Sequence, residues 1–120
     1  MREKPDPEKM TIANIVGELS FNHLLKRRKE KLCHEISHRP IDTFNIPDWI
    51  CAFRIYLPKP ISALNNRIPD IKDFILNRCR NLVLLELILQ SPRNLPPEII
   101  AALKSKISRL SNPQKEQSSL

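Results

Sequence analysis

Hydrophobic residues recur every three or four positions along most of this chain, the spacing of one face of an α-helix. The first series follows Thr11, a residue type that caps helix N-termini, and the second ends at Pro40, which cannot continue a helix. Between the two series, the helix either runs on through Gly17 or begins afresh at Ser20. The two series consist of Ile12, Ile15, Val16 and Leu19, and of Phe21, Leu24, Leu25, Leu32 and Ile36.

Prolines also mark the later segments. Residues 48–57 follow Pro47 and fit either a helix or an alternating strand, and we prefer a helix because no other segment offers a pairing strand. Residues 61–66 predict a short helical turn. The spacing then predicts one long helix over residues 69–90 and a last helix that starts at Pro96-Pro97 and runs to about Leu110.

These elements predict an all-α protein: a small irregular bundle of four or five helices with Pro-marked breaks and flexible termini. We expect residues 1–10 to be a flexible leader, residues 11–110 a single helical domain, and residues 111–120 a polar flexible tail. The chain of 120 residues has eleven prolines but a single glycine. Phosphate-cradling loops and nucleophile elbows need several glycines, so most nucleotide-dependent and α/β-hydrolase sites are excluded.

The cysteines indicate a reducing environment. Cys33, Cys51 and Cys79 are an odd number, far apart, and form no Cys-x-x-Cys pair. The N-terminal residues are too highly charged for a secretory signal, and the longest apolar run is too short to span a bilayer. We therefore expect a soluble intracellular protein of the nucleus or cytoplasm that is not secreted.

One short motif has catalytic precedent. The residues His34-Glu35-Ile36-Ser37-His38 match H-E-x-x-H, in which two imidazoles one turn apart ligate zinc and the glutamate activates a water. His23 lies on the same helical stripe and is a weak candidate for a third ligand. The motif keeps a small zinc hydrolase as one alternative function.

Three features of the sequence argue against that alternative. Pro40 ends the helix next to the second histidine, and both imidazoles lie opposite the apolar stripe, where water reaches them. Arg27 and Lys31 lie nearby and repel a dication. We therefore predict a solvated or adventitious metal-binding face, with no catalytic residue, no metal and no cofactor.

A dense basic cluster precedes the motif. Its residues are Lys26, Arg27, Arg28, Lys29 and Lys31, and the net charge of the chain is +7. Such clusters occur in nucleic-acid contacts and nuclear-import signals, so nucleic-acid binding in the nucleus is a second alternative function. On a helical wheel the charges surround the helix, and Arg28 falls within the apolar face, where it must snorkel, pair or meet a partner.

Residues 82–89 are apolar on nearly every side of the predicted helix. A small bundle cannot hide all of them, so the remainder indicates a surface for a protein partner or for self-association. We predict that Leu84, Leu87 and Ile88 form that surface. The sequence thus favours a non-enzymatic helical protein, interacting or regulatory, that acts through protein–protein contacts.

Overall fold

All regular structure in the described part of the chain is helical. The computed structural model describes residues 6–21, 24–56 and 61–111. The prediction of a small all-α bundle is confirmed. Among these residues no helix is long and apolar enough to cross a membrane. The helices are a 3₁₀ turn at Pro7–Lys9, α1 (Ile12–Leu19), α2 (Lys26–His38), α3 (Ile46–Tyr56), α4 (Ser62–Asn65), α5 (Ile68–Asp73), a π-helical turn at Phe74–Arg78, α6 (Leu82–Leu89) and α7 (Pro97–Ser111).

The N-terminus of α1 is held from two directions. Thr11 Oγ1 accepts a hydrogen bond of 3.1 Å from the Asn14 amide, which is the predicted cap. The carboxylate of Asp48, in the first turn of α3, accepts the amides of Ile12 and Ala13, the latter at 3.0 Å. The segment for which we preferred a helix over a strand is helical, over residues 46–56. The hydrogen bonds of Asp48 fix the contact between its first turn and α1.

The helical structure is interrupted between α1 and α2, so the two predicted apolar series do not share one helix. α1 ends at Leu19 and α2 begins at Lys26. Because of this break Phe21 and Leu25 are exposed, whereas Leu24 packs against the core. Within α2 only Leu32 and Ile36 are buried.

The prediction of one helix over residues 69–90 is wrong. α5 widens into the π-helical turn, which closes with a bond of 2.9 Å from the Cys79 amide to the Phe74 carbonyl. Asn81 then caps a new helix, because its side chain accepts the Leu84 amide at 3.0 Å. A side-chain cap offers the backbone an alternative to a continuous helix even where no proline or glycine interrupts the sequence.

The core lies where α1, α2 and α3 pack together and continues to α5, α6 and α7. Its apolar side chains are mostly isoleucine and leucine, together with three aromatic rings, those of Trp49, Phe53 and Phe74. Arg54 of α3 links that helix to α6 by donating to the carbonyl of Ile88. The largest fully buried side chains are Trp49, Phe53, Ile12, Ile15, Leu32, Ile36, Ile46, Ile50, Ile71, Ile75, Leu85 and Ile99.

Residues 7–10, within the predicted leader over residues 1–10, are held against α2. The Arg39 guanidinium donates to the carbonyls of Pro7, Glu8 and Met10, and it also bonds Glu35 at 2.7 Å. One arginine thus fastens the 3₁₀ turn to the end of α2. Residues 1–5 and the predicted tail beyond Ser111 lie outside the described residues.

Candidate functional site

The apolar helix α6 turns two large side chains towards solvent. Val83 is 67% exposed and Leu87 is 55% exposed, whereas Leu84 is half-buried at the edge of the core. The two exposed residues are four positions apart and therefore lie one above the other on the helix surface. Together they form an apolar pair, Val83/Leu87, on a regular helix.

Ile88 does not belong to this surface, although the sequence places it there. It is 5% exposed and packs in the core beside Leu85. These two residues define the inward face of α6. The outward face, on the other side of the helix, is formed by Val83 and Leu87. A helix that is apolar on every side carries no signal of which face is buried, and the choice is made by the packing of α6 against α7.

The basic cluster of α2 is divided by the fold. Arg28 lies between α1 and α2, where its Nε and Nη2 atoms donate to the Glu18 carboxylate at 2.6 and 3.0 Å. The side chains of the pair are only 12% and 14% exposed. The hydrogen bond with Glu18 raises the pKa of Arg28 above its ordinary value. Arg28 is thus a structural member of the cluster and takes no part in a surface for an external anion.

The other four cations of the cluster remain exposed along the first half of α2: Lys26, Arg27, Lys29 and Lys31. Each points into solvent because the buried stripe of α2 is narrow. A negatively charged partner can therefore reach all of them from outside the bundle.

The two histidines of the H-E-x-x-H motif are exposed on α2, but the motif is not arranged as a hydrolase site. Glu35 Oε1 accepts two bonds from Arg39, of 2.9 and 2.7 Å, so this carboxylate takes part in a structural ion pair. His23, the weak candidate for a third ligand, lies outside the described residues. Within the described ranges, no three histidine, cysteine or acidic side chains are grouped to hold a metal ion.

An open groove of about 680 Å³ lies between the 3₁₀ turn and α2. Its lining combines four carboxylates with two cations, and the groove is open to water. The sequence did not predict this groove, because residues 6–8 are held beside α2 by the bonds of Arg39, which join residues distant in sequence. The lining residues are Asp6, Pro7, Glu8, Arg27, Glu30, Lys31, His34 and Glu35.

The described residues therefore present an apolar pair on α6, four exposed cations on α2 and an open groove of mixed charge. The apolar pair and the cations lie on different helices. No protein-family model, curated protein or solved structure matches this chain.

Proposed function

We propose that this chain is a non-enzymatic interaction protein that binds another protein through the outward face of α6. The observation that carries the proposal is the exposure of Val83 and Leu87 on one helical face. Leu84, which is half-buried, borders this pair and extends it towards the core. Two aliphatic side chains one turn apart are the pattern by which an amphipathic helix fits an apolar groove or a second helix.

Charge supports a protein as the partner of this face. Across α6, Glu86 is the only ionisable side chain, whereas the chain as a whole carries a net charge of +7. Apolar contact area that is nearly free of charge is typical of the centre of a protein interface. A nucleic-acid backbone offers no apolar surface to match it.

The proposed compartment is the cytoplasm or nucleus. Cys33, Cys51 and Cys79 are all free thiols, and Cys51 is exposed. An exposed free thiol persists where glutathione and thioredoxin keep cysteines reduced. Fractionation of cells that express the chain tests this assignment.

Leu87→Lys is expected to weaken binding of the partner by about ten- to a hundredfold, because burial of one leucine side chain contributes about 1.5–3 kcal/mol and a lysine cannot replace it. The fold should persist, because Leu87 is half-exposed and its side chain is not part of the core. The measurement is sedimentation equilibrium for self-association, followed by capture from cells to compare the proteins retained by each variant.

Phe44→Lys is the matched control. Phe44 lies in the loop before α3 and is 96% exposed, so this change also replaces a large exposed apolar residue with a lysine. A partner that is lost with Leu87→Lys and retained with Phe44→Lys supports the proposal. If the folded Leu87→Lys protein keeps every partner and its oligomeric state, α6 is ordinary surface.

A second candidate function is nucleic-acid binding through α2, favoured by the simultaneous exposure of Lys26, Arg27, Lys29 and Lys31. These residues lie near the N-terminal end of α2 and are separated from the α6 face by the core. Contacts with phosphates would be electrostatic and independent of base sequence.

This candidate predicts that binding of duplex DNA or RNA weakens steeply with salt. Each phosphate contact makes the slope of log K against log [salt] more negative by about 0.7–0.9. Removing one contact should therefore make the slope less steep by nearly one unit. Lys31→Gln is expected to show that reduction in a fluorescence-anisotropy titration. Arg28→Gln should instead lower stability, because Arg28 is paired with Glu18. A salt-independent affinity would dismiss nucleic acid as the partner.

A further inference from the structure

The imidazoles of His34 and His38 are stacked on the exposed side of α2. Their ring centroids are 4.1 Å apart and their planes differ by 26°. His38 Nδ1 lies 2.9 Å from the carbonyl oxygen of His34. A carbonyl only accepts, so Nδ1 carries the hydrogen and donates it, which leaves Nε2 of His38 with a free lone pair.

The end of α2 that carries these rings is held firmly, although a proline follows it closely. Arg67, which immediately precedes α5, donates to the carbonyls of Ile36 and Ser37 at 3.2 and 2.6 Å. Arg39 fastens the next residue to the 3₁₀ turn through the carbonyls of residues 7, 8 and 10. Because these contacts hold the backbone at the C-terminal end of α2, His34 and His38 keep their one-turn spacing along the helix.

The charge around His34 is also different from what the sequence suggests. Arg27 and Lys31 line the groove beside His34, as expected from the helix, but so do three carboxylates that are not paired with Arg39. Of these, Asp6 precedes the 3₁₀ turn, Glu8 lies within it, and Glu30 is one helical turn before His34. The three negative charges oppose the repulsion of a cation that Arg27 and Lys31 alone would cause beside His34.

From these features we infer that His34 and His38 form a two-imidazole clamp for a divalent transition-metal ion of borderline softness, such as Zn²⁺ or Ni²⁺. Imidazole nitrogen is a preferred ligand of these ions. Bonds of about 2.1 Å to one ion place the two nitrogens roughly 3 Å apart. Because imidazole lone pairs lie in the ring planes, the stacked rings must rotate out of their stacking to converge on the ion, and their one-turn spacing on an exposed helix face allows this rotation. Water fills the remaining coordination positions of the ion.

The clamp is proposed as a metal-binding site and not as a catalytic one. In the zinc hydrolases, the glutamate of H-E-x-x-H is free to take a proton from the metal-bound water. Here Glu35 Oε1 accepts two bonds from Arg39, at 2.9 and 2.7 Å, so the carboxylate is held in an ion pair. The site is also separate from the protein contact proposed for α6, so either proposal can fail without the other.

The test is calorimetric titration of the tag-free protein with Ni²⁺, which has less preference than Zn²⁺ for the thiolates of the chain. We expect saturation at one ion per chain and a loss of affinity of at least tenfold in His34→Asn and in His38→Asn. His23→Asn is the matched control, because it removes the only other histidine of the chain and should change the affinity less than twofold. Circular dichroism confirms that each variant keeps its helical content.

Paramagnetic broadening by Ni²⁺ in proton NMR spectra gives a second readout on the unaltered protein. Ring signals of two of the three histidines should broaden at substoichiometric Ni²⁺, and variants identify them as His34 and His38. The clamp is refuted if the protein shows no saturable Ni²⁺ binding, or if the affinity survives in His38→Asn. Equal weakening by His23→Asn would likewise refute it.

Discussion

Replacing Trp49 with alanine is expected to lower the free energy of unfolding by about 3–5 kcal/mol, the usual cost of removing a large buried aromatic side chain. Trp49 is fully buried in the core. The Arg67 guanidinium lies 5.1 Å from the centroid of its ring, so the change also removes a cation–π contact. Trp49 Nε1 has no hydrogen-bond partner among the described residues, so the loss comes from packing and from this contact alone.

Urea denaturation followed by circular dichroism is the appropriate measurement, because the variant lacks the only tryptophan of the chain as a fluorescent probe. Phe44→Ala is the control: it truncates another aromatic residue, but one that is almost fully exposed, and should change stability by less than about 0.5 kcal/mol. Trp49→Phe keeps an aromatic face under Arg67 and should cost less than Trp49→Ala. Equal destabilisation by the Phe44 and Trp49 variants would mean that the core is not centred on Trp49.

The all-α fold was predictable because helical periodicity and proline punctuation are local properties of the sequence. Ile12, Ile15 and Val16 are spaced as one helix face, and all three are buried in α1. The short turn expected over residues 61–66 appears as α4. Such signals depend only on neighbours within a turn or two, and tertiary packing reinforced them here.

The boundaries of the longest predicted helix were not predictable in the same way. The apolar period continues through residues 69–90, so nothing in the period itself marks the π-helical turn at Phe74–Arg78. The available signal was Asn81, whose side chain caps α6 three residues before Leu84. Asparagine is a good cap, but it becomes one only if the preceding residues leave the helix.

The candidate site shows the same division between local and long-range information. The sequence indicated that Arg28 must pair or snorkel, but its partner Glu18 lies across the break between α1 and α2. It also indicated that α6 has a surplus apolar face, but not that Leu87 is outside and Ile88 inside. These choices depend on contacts between helices distant in sequence, which periodicity does not encode.

Asp48→Ala is expected to destabilise the protein by about 2–4 kcal/mol, more than loss of an ordinary helix cap. Its carboxylate accepts the amides of Ile12 and Ala13 across 36 and 35 residues of sequence. Hydrogen bonds to a charged group contribute about 1.5–3 kcal/mol, and the positive end of the α1 dipole adds to the attraction. Removing the carboxylate leaves two amides without acceptors at a buried helix end and loosens the contact of α1 with α3.

Thr11→Ala provides the comparison, because Thr11 Oγ1 satisfies only the next amide of α1, that of Asn14, and its loss should cost about 1 kcal/mol. Hydrogen exchange distinguishes the two variants by residue: the Ile12 and Ala13 amides should lose protection in Asp48→Ala, and the Asn14 amide in Thr11→Ala. Asp48→Asn keeps a neutral acceptor and should fall between Asp48→Ala and the unaltered protein. If Asp48→Ala costs no more than Thr11→Ala and leaves the first two amides protected, α1 is held to α3 by apolar packing alone. In that case the residues that fasten the first helix to the bundle would be Ile12, Ile15 and Val16.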